Sequence, residues 1–293
     1  MGYILLCISL FAGALKGYEG KRISAVTSTI GRSVTVNIIR MGLCIVIGIF
    51  PVTADILAGR TVCDTVAVLC GILYGTALAA FVVTWLLCVR DGAYTLVNIF
   101  AMCGMFLTIA LSYFVFGETV RPLQWIGLAL LTVAILIMCS YSTGVKGKMK
   151  KKTILLLIVY GIAAGACDFA SKLFVHYSAG STAFFNMVAY AAAAVALLVF
   201  WAVSPIRKEA VDVRSLFKST FWRVAVMAIC LFANSFFKTM AAAYLTAGQL
   251  YPIYQSADLI LSALIAQIFF KEKINLRCAA GLCLVFAAML LLH

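Results

Sequence analysis

Long apolar runs follow one another along almost the whole chain, separated by short polar breaks. About 20 apolar residues of helix cross a bilayer's hydrocarbon. Ten runs reach roughly that length, at residues 2–23, 32–54, 64–89, 92–116, 121–141, 153–177, 181–203, 219–244, 247–269 and 273–292. Lipid offers no partner for a backbone N–H or C=O, so such runs predict helices. A β-barrel would show short segments of alternating polarity instead. The expected fold is an all-α polytopic membrane protein with ten transmembrane helices. No stretch is left over for a soluble domain. The first run lacks a basic lead-in, and Lys16 and Glu19 follow its apolar stretch, so it reads as a span rather than a cleavable signal peptide.

Charge refines this picture. Only 11% of the 293 residues are charged, yet the net charge is +13. Seventeen Lys and Arg fall in the breaks after runs 1, 3, 5, 7 and 9 or at the edges of the runs that flank them, among them Lys146, Lys148, Lys150, Lys151 and Lys152. The opposite breaks hold Arg60 and Arg121. The positive-inside rule then places the odd breaks in the cytoplasm and both termini outside a cell (inner) membrane. This distribution argues for a bilayer as partner and against nucleic acid.

Eleven cysteines are present, most within apolar runs and none in C-x-x-C spacing, which predicts small packing residues rather than redox or metal chemistry. The two histidines are His176, in a predicted loop, and His293. No metal cluster, Ser-His-Asp pattern, phosphate loop or nucleotide-binding domain is seen. The reading is of a non-enzyme without cofactor, not driven by ATP on this chain, and working as a monomer.

The basic stretch at 143–152 divides the chain into residues 1–142 and 153–293, with five runs each. The two parts look alike. A shift of 154 sets Phe116-Gly-Glu118 on Phe270-Lys-Glu272, Ala93 on Ala247 and Gly127 on Gly281. Gly13-Ala14 in run 1 also matches Gly165-Ala166 in run 6. A repeat with an odd number of spans must invert between halves, and inverted repeats mark secondary transporters with a site near the bilayer midplane. A duplicated structural protein is the plainer alternative.

These residues resemble the drug/metabolite transporter superfamily in its ten-helix EamA-like branch. The resemblance rests on Lys238, on Ala247-Gly-Gln-Leu-Tyr-Pro252, on Phe270-Lys-Glu272 with Gly281, and on Phe116-Gly-Glu118 with Gly127. It implies two inverted five-helix repeats working by alternating access. The family moves varied solutes, so it implies no one substrate. The glutamate with which related small multidrug-resistance proteins bind cationic drugs is absent from the matching positions near Gly13 and Gly165.

Charges within spans are expensive in lipid and become functional candidates. Arg40 has Asn37 at i−3 on the same helix face, and a guanidinium fork suits carboxylate or phosphate. The pair reads as an anion-recognition site. Alternatively, Arg40 is a structural partner of Glu19 or Asp168, or snorkels to the interface. Asp168 and Lys172, at i and i+4, form either a local ion pair or a coupling site. Tyr251, Tyr254, Gln255 and Asp258 make one stripe after Pro252, either lining a cavity or forming a helix seam. Lys238 faces the cavity or snorkels. Lys16 and Glu19 are expected to pair locally, with Glu19 a further coupling candidate. Glu118 and Glu272 are expected to stabilise the N-termini of the helices that follow them.

In-span bases outnumber acids by one, which favours an organic anion or zwitterion held by Arg40, Asn37 and Tyr254. The expected function is secondary transport of such a metabolite, with protons as candidate coupling ions or by exchange. A second reading is transport of an organic cation by Asp258 or Glu19 with Tyr18, Tyr251, Tyr254 and Trp85. A third is a membrane-embedded lipid or head-group enzyme.

Overall fold

The structure is a computed structural model of the full chain. It describes all residues except 25–26, 28, 92–93, 120, 147–150, 205–212, 272–275 and 292–293. Ten helices follow one another, and the described residues contain no strand. They are α1 (Gly2–Ser24), α2 (Ile30–Leu57), α3 (Thr65–Asp91), α4 (Tyr94–Phe116), α5 (Pro122–Lys146), α6 (Lys151–Tyr177), α7 (Thr182–Val203), α8 (Val213–Ala241), α9 (Ala247–Phe270) and α10 (Leu276–Leu291).

Seven of these, α2, α3, α4, α6, α7, α8 and α9, contain stretches long and apolar enough to cross a membrane. The described apolar stretches of α5 and α10 are shorter, Pro122–Met138 and Ala279–Leu291. Helix α1 is not among the seven; it carries Lys16, Glu19, Lys21 and Arg22. Large apolar side chains point outward, with Phe11, Phe50 and Phe114 each more than two-thirds exposed. Such a surface is unfavourable in water and suits a multi-pass membrane protein.

Two boundaries differ from the sequence reading. The expected linker at 143–152 shrinks, because α5 runs to Lys146 and α6 starts at Lys151. Gly144 costs a helix only about 1 kcal/mol and does not stop it. His176 lies in the last turn of α6, not in a loop. Its ring packs 4.7 Å from that of Phe116, and the helix ends at Tyr177.

The packing joins early helices to late ones. Helix α1 lies on α8, and α6 lies on α3. Helix α2 contacts α7 and α8, while α7 contacts α2 and α3. Helix α4 meets α6 and α9, and α5 meets α10. Small residues permit the closest of these approaches. A Cβ on Gly104 would lie 2.4 Å from the Gly161 carbonyl, and one on Gly165 would lie 2.4 Å from the Gly104 carbonyl. Thr108 Oγ1 secures the same contact by donating to the Gly165 carbonyl at 3.0 Å.

Two chain turns share an unusual backbone. Gly117, after α4, has φ +64°, and Lys271, after α9, has φ 53°. The left-handed conformation releases the chain from each helix.

Candidate functional site

A cavity lies where α1, α3, α4, α6, α8 and α9 converge. Its polar wall includes Lys16, Asp168, Asn234, Lys238, Gln255 and Asp258. Phe81, Trp85 and Tyr160 form an aromatic side, and Phe81 stacks on Tyr160 at 4.9 Å. The free space is ≈ 60 Å³. That is room for a few waters and not for a metabolite.

Two acid–base couples face this space, and they differ. In the first, Lys238 Nζ donates to Asp168 Oδ1 at 2.5 Å. Gln255 Nε2 reaches the other Asp168 oxygen at 3.5 Å, and Tyr251 Oη donates to the Asp168 carbonyl at 2.6 Å. Lys238 Nζ also sits 4.9 Å from the centroid of the Tyr254 ring. This couple is buried and its partners are internal. It joins α6, α8 and α9.

The second couple is Lys16 on α1 and Asp258 on α9. Asp258 is the acid that acts most strongly on Lys16. Neither group forms an ion pair or hydrogen bond with a described residue. Gly13 makes room for the groups beside the acid: a Cβ there would lie 2.9 Å from Asn234 Nδ2 and 3.0 Å from the Tyr254 hydroxyl, with Asp258 Oδ1 in ordinary contact at 3.5 Å. Lys16 follows Gly13 by three residues, so both are on one helix face.

Asn234 braces the cavity. Its amide nitrogen donates to the Ser9 carbonyl at 2.7 Å and to the Tyr254 hydroxyl at 2.6 Å. Ser9 Oγ returns a bond to the Asn234 carbonyl at 2.8 Å. Nearby, Tyr74 Oη bonds Ser235 Oγ at 3.1 Å. These bonds satisfy polar groups that lipid or core would leave unpaired.

Several residues expected at the site therefore meet there: Asp168, Lys238, Tyr254, Gln255 and Asp258 all line the cavity. Tyr251 stands behind it, holding the Asp168 backbone. Three of the four residues of the expected α9 stripe thus line the cavity, and the fourth, Tyr251, bonds α6.

Asn37 and Arg40 do not line the cavity. Asn37 Nδ2 is taken up by the Ser33 and Val82 carbonyls, at 2.9 and 3.3 Å. Arg40 is buried and pairs with neither Glu19 nor Asp168. Glu19 does not pair with Lys16 either. It lies 3.8 Å from Arg22, toward the end of α1.

Lys172 also departs from expectation. Its partner is Glu118, at 2.9 Å, and not Asp168 one turn away. It also donates to the Leu245 carbonyl at 2.8 Å and the Ala242 carbonyl at 3.3 Å. Glu118 accepts from the Ala247 N–H at 2.7 Å, so it caps α9 rather than the helix that follows it. Lys172 and Asp168 share a helix face but find closer partners on different neighbours. Glu272 lies outside the described residues, as does Ala93.

Sequence reasoning left Asn234, Ser9 and Gly13 off the site and read the in-span charge Lys16 as a local partner of Glu19. The signal for Lys16 was its spacing of three from Gly13. Asn234 and Ser9 have no sequence pattern that joins residues 225 positions apart.

No family model matches the chain, and no curated protein matches it. Among solved structures, one described only as "Crystal structure of protein" superposes with a TM-score of 0.67. It is 14% identical, and the match covers 98% of this chain and 97% of that one. At that identity the likeness shows the fold alone.

Proposed function

We propose that this chain is a secondary transporter of a small polar metabolite, an organic anion or zwitterion, working by alternating access in a cell membrane. The observation that carries the reading is the second acid–base couple. Lys16 and Asp258 face the cavity with no ion pair or hydrogen bond to a described residue, an ammonium and a carboxylate open to a solute. The cavity wall carries two bases, Lys16 and Lys238, and two acids, Asp168 and Asp258. With Lys238 engaged by Asp168, the open ammonium of Lys16 suits a solute with at least one negative charge.

The packing supports two inverted five-helix halves. Exchanging each helix with the one five places on converts the α1–α8 contact into α6–α3, α2–α8 into α7–α3, and α4–α6 into α9–α1. The contacts α2–α7, α4–α9 and α5–α10 map onto themselves. Gly117 and Lys271 are 154 residues apart, the spacing of the sequence repeat, and both are left-handed. Asn37 and Asn186 each donate to the carbonyl four residues earlier, near the start of the second helix of each half. These likenesses, with the resemblance to drug/metabolite transporters, favour ten spans and a central site between halves. The Lys and Arg distribution favours both termini outside.

In this reading the cavity is closed on both sides. The Glu118–Lys172 pair ties α6 to the α8–α9 turn at one end, with Glu118 capping α9. At the other end Tyr18 of α1 packs 5.0 Å from Phe269 of α9. Opening either contact admits solute. The solute's carboxylate lies against Lys16, and an ammonium, where present, lies against Asp258. Asp168 with Lys238 is the candidate coupling site, since protonating Asp168 would release Lys238.

Thermal unfolding of the purified protein against anions, zwitterions and cations tests the reading. Anionic or zwitterionic solutes raise Tm, by about 2.7 kcal/mol of stabilisation at 100 times Kd, and Lys16→Met removes the effect. Stabilisation by cations alone, lost in Asp258→Asn, replaces it with the cation reading. No ligand in any class, together with no solute flux in proteoliposomes, overturns transport.

A further inference from the structure

Arg40 lies in mid-α2 with 2% of its surface exposed. A guanidinium keeps its charge in proteins. A buried ion without a counter-charge is strongly destabilising, and more so at membrane depth. Yet no described carboxylate pairs with Arg40, and its Nε has no hydrogen-bond partner.

Its neighbours are occupied or neutral. Cys44, one turn on, directs its thiol to the Ala228 carbonyl at 3.4 Å. Tyr190, within electrostatic reach on α7, donates to the Leu231 carbonyl at 3.3 Å. Asn37 has spent its amide N–H groups on backbone carbonyls, and its Oδ1 is unpartnered. A neutral amide oxygen can accept a hydrogen bond but cannot balance a charge. Lys16 also feels Arg40, and it is a second cation.

We propose that Arg40 holds a small inorganic anion, such as chloride, as a resident counter-ion among α2, α7 and α8. Nε and the adjacent Nη of a guanidinium present two parallel N–H groups to one acceptor. Cys44 and Tyr190, the groups near it, are buried, which restricts the occupant to a small ion. Arg40 does not line the central cavity, so this anion is separate from any transported solute. The inference does not rest on the transport reading.

The test holds ionic strength constant and replaces sodium gluconate stepwise by sodium chloride while thermal unfolding is followed. Chloride raises the wild-type Tm saturably, by on the order of 2–4 °C. Arg40→Met, which removes the charge, gives the same Tm in both salts. If that variant does not fold, crystals of the wild-type protein soaked in bromide decide, with an anomalous peak beside the guanidinium expected. A wild-type Tm indifferent to chloride, a chloride response that survives in Arg40→Met, or no bromide at Arg40 overturns the proposal.

Discussion

Lys238 on α8 reaches Asp168 on α6 at 2.5 Å, and the pair is almost wholly buried. Removing one partner strands the other charge. Lys238→Met is expected to destabilise by about 3–5 kcal/mol. The double variant Lys238→Met with Asp168→Asn should recover much of that loss. Chemical unfolding of both variants checks it; equal stability of single and double variants would show that the charges are not coupled.

Lys16 and Asp258 should behave in the opposite way. Neither forms an ion pair or hydrogen bond with a described residue, so Lys16→Met and Asp258→Asn are expected to change stability by less than about 1 kcal/mol. Solute uptake should fall at least about tenfold in each, the loss of roughly 1.4 kcal/mol of binding. Proteoliposome flux and unfolding, measured on the same preparations, separate the two effects.

Glu118 has two duties, one on Lys172 and one on the Ala247 N–H. Glu118→Gln keeps an acceptor for the cap and loses the ion pair. Glu118→Ala loses both. Alanine is therefore expected to cost about 0.5–2 kcal/mol more than glutamine, the range for a lost cap. Equal costs would assign the whole effect to Lys172.

Close approach of α4 and α6 depends on Gly104. A Cβ there meets the Gly161 backbone, which cannot swing away, so Gly104→Ala should destabilise by about 1–3 kcal/mol. Gly42 provides a control. Nothing lies within 4 Å of a Cβ at that position, and Gly42→Ala should stabilise the helix by up to about 1 kcal/mol.

Lys271 holds a left-handed conformation without being glycine. Such a residue costs about 1–2 kcal/mol. Lys271→Gly is expected to raise Tm, and a fall would locate a needed contact in the lysine side chain.

The helices were legible in the sequence because apolar length alone determines them. All ten runs correspond to helices, and α4 and α9 end within a residue of their expected limits. The acids and bases were legible as a set, since each is conspicuous in an apolar run. Their partners were not. Spacing of four suggested Asp168 with Lys172, but groups more than 50 positions away in sequence supply the contacts: Lys238 for Asp168, and Glu118 and the Leu245 carbonyl for Lys172. Arg40 was conspicuous for the same reason as Lys238, yet only packing decides which of the two meets the cavity. Asn234 and Ser9, being uncharged, gave no comparable signal.

The pairing of α1 with α8, and of α3 with α6 and α7, bears on how the chain is made. A ribosome releases α1 long before α8 exists. Until then α1 holds Lys16, and α3 holds its small-residue face, without the surfaces that finally cover them. Nearly every extensive contact joins residues far apart in sequence, the arrangement that slows assembly. The first five helices alone should thus remain loosely associated in the membrane, and co-expressing them with the last five as a separate chain should restore a folded protein.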